Sequence, residues 1–316
     1  MTVHLVVPGL FGAFPRSEQA RRVQRLPVLE RLIARADQLQ GPVSYPQALF
    51  QLYGMPAEAP LATAPLCYHS DSAGQPESRY LLHADPLHLR PDQDRLLAFD
   101  FQQQPLRTGE ADSFVDAFNR HFQADGMELL APHPQRWYLA LEVEPDVDFH
   151  PLAAVIGRNI DSFLPYGSGA RHWRGRMNEI QMLFHSLPAN MQREAGGLLP
   201  VNGLWFSGGG KLPDKVPGGF AGISGDCCLL QGLDALAADA GSDQLIVEHA
   251  VGRAVLDADR TAWEQALAEL DVRLQDLMDQ DLQLYSCDGL AWRWHPGMRR
   301  RWWRRSRPIE LGWHDQ

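Results

Sequence analysis

The sequence predicts an α/β protein with a mostly parallel sheet between helix layers and a smaller α+β domain inserted into it. A strand at residues 3–7 passes through a turn into an amphipathic helix at 26–37, which is how α/β folds commonly begin. Residues 200–285 alternate strands with helices, which is typical of parallel βαβ units. Between these parts, residues 79–143 follow the order strand, strand, helix, strand, which indicates a separate small unit.

The first elements follow from apolar spacing and turn residues. The run Val3–Val7 is rich in β-branched residues and stops at Pro8-Gly9, so we predict a strand there. In the helix at 26–37, leucines and isoleucine share one face and arginines the other. A further helix at 47–53 ends at a glycine. Residues 55–77 are rich in Pro, Ala and Ser, which predicts a loop or linker.

Residues 76–185 make up the predicted inserted domain. Its apolar periodicity and its β-branched and aromatic runs define the elements. These elements are strands at 81–89, 95–101 and 137–143 and helices at 114–122 and 153–163.

Residues 1–75 and 186–316 make up the predicted core domain. A helix at 178–187 leads into its second part and ends at Pro188, after which a polar link precedes a buried strand at 198–206. The elements predicted beyond that strand are a strand at 218–224, a helix at 228–240, a strand at 244–247, a helix at 261–278 and a strand at 282–285.

Composition excludes several classes of protein. With 316 residues, 45% hydrophobic and 22% charged, the chain has the composition of a soluble globular protein of a length at which one core tends to split into two. No run approaches the ~18 apolar residues of a membrane span, and the N-terminal run lacks the basic flank of a signal peptide. The four cysteines show no CxxC spacing and two are adjacent, which fits neither a zinc knuckle nor a disulfide framework. We therefore predict a cytoplasmic protein.

A glycine-rich strand end is the first candidate binding motif. The strand at 198–206 continues into Ser207-Gly208-Gly209-Gly210-Lys211. Glycines beside a lysine allow the backbone to approach an anionic ligand closely, and a tight turn with a surface lysine is the alternative. The segment is not a P-loop, because Trp205 and Leu212 stand where the pattern GxxxxGK[ST] requires Gly and Ser or Thr.

Several segments, in one order, resemble a known family. The run LPANMQREAGGLLPVNGLWFSGGGK, followed by GGFAGISGDCCLLQGL, resembles the archaeal-type cofactor-independent phosphoglycerate mutases. A nearer resemblance is to bacterial RpfE-type regulatory proteins, through ADPLHLR, FNRHF, RWYL, GRNI and NEIQML, and it spans nearly the whole chain. The resemblance implies the alkaline-phosphatase superfamily fold. Enzymes of this type hold two divalent metals and use a Ser or Thr nucleophile to transfer a phosphoryl group.

The resemblance allows each catalytic position to be compared. The family's first metal-binding Asp follows the first strand, where this sequence has Pro8, which offers no side-chain oxygen. The nucleophile would precede the helix at 47–53, where Ser44 is the candidate and an ordinary loop serine the alternative. The family's next segment contains a His, then Asp-Glu and a second His. This sequence has His249 at the first of these positions, and the Asp-Glu and the second His are missing. Asp288 marks the last Asp-His pair, without its His.

Too few donors remain for two divalent ions, since each needs about four to six ligands. We therefore expect no metal and no other cofactor, with Ser44, His249 and Asp288 as vestigial catalytic candidates. The alternative is a phosphomutase or phosphatase whose rearranged site uses these three residues with Mn or Zn.

A second set of residues suits a small phosphorylated or carboxylate ligand, because Arg can hold either group through two hydrogen bonds. The set comprises Asn190, Arg193, Asn202, Gly209, Gly210, Lys211 and Arg158. The alternative is structural: Arg193 pairs with a helix end or a carboxylate, and Asn202 caps a turn.

The C-terminal segment Arg293–Gln316 is basic in an acidic chain. It has seven arginines and two acidic residues, which gives it a net charge of +5. The whole chain has a net charge of −10, so the remainder of the chain carries −15. Tryptophans lie between the arginines, and such a segment can bind a polyanion or a protein partner. We favour an edge strand or hairpin at Met298–Arg305 that docks on the acidic body, and without a nucleic-acid-binding motif we do not expect nucleic acid as the partner.

The sequence therefore favours a metal-free, catalytically degenerate phosphoglycerate-mutase-like protein with a regulatory or ligand-sensing role. The regulatory role rests on the resemblance alone. The two rival hypotheses are the rearranged phosphomutase or phosphatase and a module that binds polyanions or proteins through the Arg/Trp-rich C-terminus.

Overall fold

A computed structural model describes residues 1–12, 14 and 23–309, and the chain divides into two compact units. The first unit consists of Met1–Ala59 and Lys215–Gln316, and the second of Pro60–Asp214. The helices and strands are, in chain order, β1 (Thr2–Val6), α1 (Pro27–Arg35), β2 (Asp37–Gln40), α2 (Tyr45–Leu52), α3 (Thr63–Asp71), β3 (Tyr80–Asp92), β4 (Arg95–Phe99), α4 (Thr108–Phe122), β5 (Met127–His133), β6 (Arg136–Leu141), α5 (Ala170–His185), α6 (Pro188–Ala195), β7 (Gly203–Gly210), β8 (Gly222–Ser224), α7 (Cys228–Ala235), β9 (Gln244–Val247), α8 (His249–Leu256), α9 (Arg260–Leu277), β10 (Asp281–Tyr285) and β11 (Leu290–Trp294).

The first unit is built on a six-stranded sheet in the order β2-β11-β10-β1-β9-β8. Strands β8, β9, β1 and β10 are parallel, whereas β11 and β2 extend the sheet in antiparallel pairing. Parallel strands need crossover connections, and helices α7 and α8 each follow a strand of this set. The predicted mixed α/β class with a mostly parallel sheet is confirmed in this unit.

The core of the first unit lies where β1 packs against helices α1 and α9. Val3 and Leu5 of β1 share one fully buried apolar cluster with Leu29 of α1 and Trp263 of α9. Burying each such side chain stabilises the fold by about 1.5–3 kcal/mol. The indole N–H of Trp263 donates to the Gly9 carbonyl at 2.9 Å, so the one polar atom of this side chain is satisfied.

The second unit is an antiparallel sheet covered by helices. Its strands follow the order β4-β3-β6-β5, and β7 pairs antiparallel with β3 as well. Buried aromatic side chains from α4, α5, β6 and β7 fill its core, namely Phe114, Phe118, Trp137, Phe184 and Phe206.

The structure corrects the predicted place of β7. We predicted the run at 198–206 as a strand of the core domain's parallel sheet, but β7 pairs antiparallel with β3 inside the second unit. The run is buried on both faces, so its own pattern does not specify a partner strand. The second unit, Pro60–Asp214, accordingly begins earlier and ends later than the predicted inserted domain of 76–185.

Three local predictions were also wrong. The predicted loop at 55–77 contains helix α3, where Pro65 lies in the first turn and needs no hydrogen-bond donor. The helix predicted at 153–163 is replaced by two short 3₁₀ turns, because Gly157 between them has a positive φ of 73°. The polar link after Pro188 is helix α6, with that proline at its first position.

The predicted edge strand or hairpin at Met298–Arg305 is also wrong. Residues Pro296–Arg300 form a 3₁₀ turn, which the proline at its first position favours. The end of the predicted basic segment, residues 310–316, lies outside the described residues. Within the described part of the chain, no helix is both long and apolar enough to cross a membrane.

Candidate functional site

The carboxyl edge of the parallel sheet in the first unit holds the candidate site. Parallel strands end at the same edge, and ligands of open α/β sheets bind at that edge. Cys227 follows β8, and His249 follows β9 and begins α8. Tyr45 begins α2 and reaches the same place, because its hydroxyl contacts both of these side chains. We name Tyr45, Cys227 and His249 the thiol cluster.

Hydrogen bonds join the three members of the thiol cluster. The Tyr45 hydroxyl donates to Cys227 Sγ at 3.1 Å, and its oxygen lies 3.4 Å from His249 Nε2. The rings of Tyr45 and His249 also meet edge to face, with centroids 5.0 Å apart. A phenol has one proton, so when that proton is donated to sulfur, the contact with His249 needs an N–H donated by the imidazole. The chain of donors then runs from His249 through Tyr45 to the sulfur.

The surroundings of Cys227 favour the thiolate. The pKa of the Cys227 thiol is lowered from its ordinary value to about 3, first by a hydrogen bond from Cys228. Partial burial opposes this shift, and hydrogen bonds from His249 and Tyr45 together with the charge of His249 lower the pKa further. Cys227 is partly exposed, so the anionic sulfur is accessible to a small reagent.

Helix ends add to the same effect. Cys227 is the N-cap residue of α7, while Tyr45 and His249 are the first residues of α2 and α8. The N-terminus of a helix carries a partial positive charge, worth about 0.3–1 kcal/mol to a nearby anion. Cys227 lies at such an end as the N-cap residue of α7, so the site suits a negatively charged sulfur.

Among the described residues of this edge, the other side chains do not form a two-metal site. Pro8 follows β1 and packs against the backbone of Gly252, so the edge lacks a carboxylate at that point. Asp288 follows β10 and accepts hydrogen bonds from the Ser286 hydroxyl and, at 3.3 Å, from the Leu290 backbone N–H, which holds the turn to β11. Among the described residues, no group of three or more His, Cys, Asp or Glu side chains is placed to hold a metal ion.

The structure does not join the three predicted catalytic residues into one group. His249 belongs to the thiol cluster, whereas Asp288 holds the β10–β11 turn. Ser44 is the N-cap residue of α2, and its hydroxyl accepts the Gln47 backbone N–H at 3.3 Å, which is a helix-capping role. The residue next to Ser44, Tyr45, is the one that reaches His249.

Two predicted ligand-binding residues hold the second unit's backbone together. Asn190 is buried; its side-chain amide donates to the carbonyls of Phe184 and Val201, and its oxygen accepts the Val201 N–H, all at 2.8 Å. Asn202 exchanges two hydrogen bonds with the backbone of Leu89, at 2.6 and 2.9 Å. Both side chains therefore have their hydrogen-bonding groups engaged within the protein.

Arg193, the third, is the most buried of the predicted ligand-binding set, with 1% of its surface exposed. Its guanidinium donates to the carbonyls of Leu199 and Gln104 and to the carboxylate of Glu110, at 2.7, 3.3 and 3.0 Å. It also lies 5.1 Å from the ring centre of Phe101. These contacts match the structural alternative, in which Arg193 pairs with a carboxylate.

The remaining predicted ligand-binding residues lie apart from this network. Gly209 and Gly210 are part of β7, where an added Cβ would lie 2.4 Å from the Tyr80 hydroxyl and 2.3 Å from the Ala62 Cβ, respectively. Close packing therefore requires glycine at Gly210, whereas a side chain at Gly209 would displace the end of the Tyr80 side chain. Lys211 is exposed directly after β7, and Arg158 is exposed and stacks on Phe163 with its guanidinium carbon 5.0 Å from the ring centre.

The basic C-terminal segment makes contacts within the first unit. Arg301 pairs with Asp37 at 2.6 Å, and Arg304 donates to the backbone carbonyl just before β2 at 2.9 Å. Trp302 and Trp303 are 77% and 63% exposed and pack edge to face on each other. The segment therefore pairs one arginine with a carboxylate of its own unit and donates from another to a backbone carbonyl of that unit.

Sequence reasoning missed Tyr45 and Cys227. Tyr45 and Cys227 are 182 positions apart, and Tyr45 and His249 are 204 apart, so no local spacing connects them. The available signal was the position of the adjacent cysteines directly after a strand and before a helix, since that junction lies at the carboxyl edge of a parallel sheet.

Comparison with known proteins shows partial similarity to phosphoglycerate mutases. No protein-family model matches the chain. The 2,3-bisphosphoglycerate-independent phosphoglycerate mutase 2 of Methanothermobacter thermautotrophicus is 30% identical over 126 residues, which cover 37% of this chain and 30% of that protein. The match therefore spans less than a third of the relative's length.

Two solved structures match most of the chain at low sequence identity. The cofactor-independent phosphoglycerate mutase from Thermoplasma acidophilum has a TM-score of 0.40 and 13% identity, covering 94% of this chain and 90% of the other. A protein from Pyrococcus horikoshii has a TM-score of 0.48 and 12% identity, with 92% and 87% covered.

Proposed function

We propose that this protein is a cytoplasmic, phosphoglycerate-mutase-like protein that senses a ligand or regulates a partner and does not transfer phosphoryl groups by metal catalysis. The sequence similarity to a phosphoglycerate mutase over 126 residues supports the first part. The donor set at the carboxyl edge of the parallel sheet carries the second part. That edge has Pro8 after β1 and the thiol cluster after β8 and β9.

The residues that the structure describes at this edge do not fit two divalent ions. Such ions need about four to six oxygen or nitrogen ligands each. Here Asp288 is engaged in a turn, Ser44 caps a helix, and the nearest neighbours of His249 are a phenol and a thiol. A phosphomutase or phosphatase that relies on Ser44, His249 and Asp288 is therefore not favoured by the geometry.

An activity measurement tests the absence of phosphoryl transfer. The purified protein is assayed for phosphoglycerate mutase and phosphatase activity with added Mn²⁺ or Zn²⁺, next to Ser44→Ala and the exposed-serine control Ser162→Ala. We expect no turnover above background in any of the three. Turnover that Ser44→Ala abolishes and Ser162→Ala retains would overturn the proposal.

A binding measurement tests the sensing role. By analogy with its relative, the ligand class is a small phosphorylated carboxylic acid, and phosphoglycerate is the probe. A ligand that binds only the folded state raises its unfolding temperature, and the rise grows with the logarithm of the ligand concentration above Kd. We expect phosphoglycerate to raise the thermal midpoint and sulfate at equal ionic strength not to do so. Equal midpoints with phosphoglycerate and sulfate would contradict the sensing role for this ligand class.

A further inference from the structure

The thiol cluster combines the features of a reactive cysteine. Cys227 is partly exposed, accepts a hydrogen bond from Tyr45, and lies at the positive end of α7. Nucleophilic cysteines are found in such electropositive, accessible surroundings, whereas buried thiols in apolar surroundings are inert.

We propose that Cys227 is a nucleophilic thiol that hydroperoxides oxidise to a sulfenic acid, and that Tyr45 and His249 are its positioning residues. This inference deepens the proposed regulatory role and rests on it for its purpose. The chemistry itself stands on the geometry of the cluster.

Two other cysteines of the chain provide a contrast. Cys67 is 3% exposed within α3. Cys287 is partly exposed, but burial and the charge of Asp288 raise the pKa of its thiol to about 12. Its surroundings therefore favour the unreactive protonated form. The same protein thus contains one thiol whose environment favours the thiolate and one whose environment opposes it.

The oxidation step balances with the groups at hand. The Cys227 thiolate attacks the terminal oxygen of the hydroperoxide, a sulfur–oxygen bond forms, and the oxygen–oxygen bond breaks. Sulfur is oxidised by two electrons, and the peroxide is reduced to an alcohol, or to water when the reagent is hydrogen peroxide. The leaving oxygen takes up one proton. The Tyr45 hydroxyl, which donates to the sulfur, and the His249 ring behind it can supply this proton.

Cys228 provides a route onward from the sulfenic acid. Its thiol donates a hydrogen bond to Cys227 and lies next to it in the chain. A sulfenic acid condenses with a neighbouring thiol to a disulfide with loss of one water, and a thiol reductant reverses that step. Both the sulfenic acid and the condensed form mark the same initial attack on Cys227.

The first test compares two thiols in one sample of the full chain. Competitive alkylation with iodoacetamide, resolved by peptide mass spectrometry, gives the rate at Cys227 and at Cys287. With pKa values of about 3 and about 12, and nucleophilicity rising with pKa with a slope of about 0.4–0.5, Cys227 should react about a hundredfold faster at pH 6. The ratio should fall as the pH rises and Cys287 ionises. Equal rates at pH 6 would overturn the proposal.

The second test examines the positioning residues. Tyr45→Phe removes the hydroxyl that donates to the sulfur, and His249→Gln removes the imidazole and its charge. The pH–rate profile of Cys227 should therefore move to higher pH in each variant, while the rate at Cys287 in the same sample stays the same. The constant Cys287 rate shows that the variant is folded. A Cys227 profile that neither variant moves would overturn the assigned roles of Tyr45 and His249.

The third test measures the oxidation directly. Low concentrations of hydrogen peroxide, followed by a sulfenic-acid-specific dimedone probe, should label Cys227 in the Cys228→Ser variant. The wild type should give either that label or a Cys227–Cys228 disulfide that dithiothreitol reverses. Oxidation that spares Cys227 would refute the inference and leave the proposed function standing. Conversely, metal-dependent mutase turnover would refute the proposed function without altering these rates.

Discussion

Replacing Arg193 tests whether this residue has a structural role or a ligand-binding role. We predicted from the sequence that Arg193 binds a phosphorylated or carboxylate ligand. Its side chain is instead fully buried and donates to two backbone carbonyls and one carboxylate. In Arg193→Met, the carbonyls of Leu199 and Gln104 lose their charged donor, at about 1–3 kcal/mol each. The Glu110 carboxylate is 22% exposed and can be rehydrated, so we assign it little additional cost. We expect the second unit to lose about 3–5 kcal/mol of stability.

Native-state hydrogen exchange in urea measures this loss, because peptides from β7 and α6 report on the second unit alone. Arg158→Met is the matched control, since Arg158 is exposed and makes one hydrogen bond of 3.3 Å to the Ala154 carbonyl. The control should change stability by less than about 0.5 kcal/mol. A loss below about 1 kcal/mol for Arg193→Met, together with weaker phosphoglycerate binding, would refute the structural assignment and restore the ligand-binding one.

Three further changes test the packing and electrostatics of the two units. Gly208→Ala should cost the second unit about 2–4 kcal/mol, measured by urea unfolding, because φ is +62° and the new Cβ would lie 2.1 Å from Thr63 Oγ1. Asp271→Ala should cost the first unit about 1–3 kcal/mol in the same assay, because this buried carboxylate accepts two backbone N–H groups at the start of α1, at 3.0 and 2.7 Å. Glu30→Gln should change the pH dependence of stability. Burial acts to raise the pKa of Glu30, but hydrogen bonds from Arg25 and from a backbone N–H outweigh it and lower the pKa. A lowered folded-state pKa means that the stability advantage of wild type over Glu30→Gln is complete above pH ~4.5 and is lost as the pH falls through the folded-state pKa.

Controls for these changes exist within the chain. Gly197 has a φ of +73° and no atom within 4 Å of an added Cβ, so Gly197→Ala isolates the backbone cost of about 1–2 kcal/mol. Asp276 is an exposed carboxylate on the same helix as Asp271, and Asp276→Ala should have little effect. Equal losses within either pair would contradict the assigned contacts. For Glu30, a stability difference between wild type and Glu30→Gln that stays constant between pH 6 and pH 3 would contradict the assigned hydrogen bonds.

The sequence predicted the parallel core well because local patterns determine it. Strand β9 was predicted at its observed residues, and α9 and β10 lie within one residue of the predicted ends. Short apolar runs and amphipathic spacing define such elements without help from distant residues. Strand pairing is different. The apolar strand before the glycines could join either sheet, and its pairing with β3 is decided by contacts far away in sequence.

The candidate site was predictable only in part. The family resemblance drew attention to His249, which lies in the thiol cluster, and Pro8 already indicated a missing carboxylate. The choice of Arg193 rested on residue type, and a buried guanidinium that holds carbonyls looks the same in sequence as one that holds a ligand. Cys227 was missed because its reactivity depends on Tyr45, which comes from the first segment of the unit.

The thiol cluster and Pro8 lead to our proposal that this sheet edge is a thiol site and does not hold a pair of divalent ions. Elemental mass spectrometry of the purified protein, after incubation with manganese and zinc and removal of the excess, tests this claim most directly. We expect no tightly held metal in the wild type. Two equivalents of manganese or zinc per chain would contradict it and would restore metal-dependent phosphoryl transfer as the function to be tested.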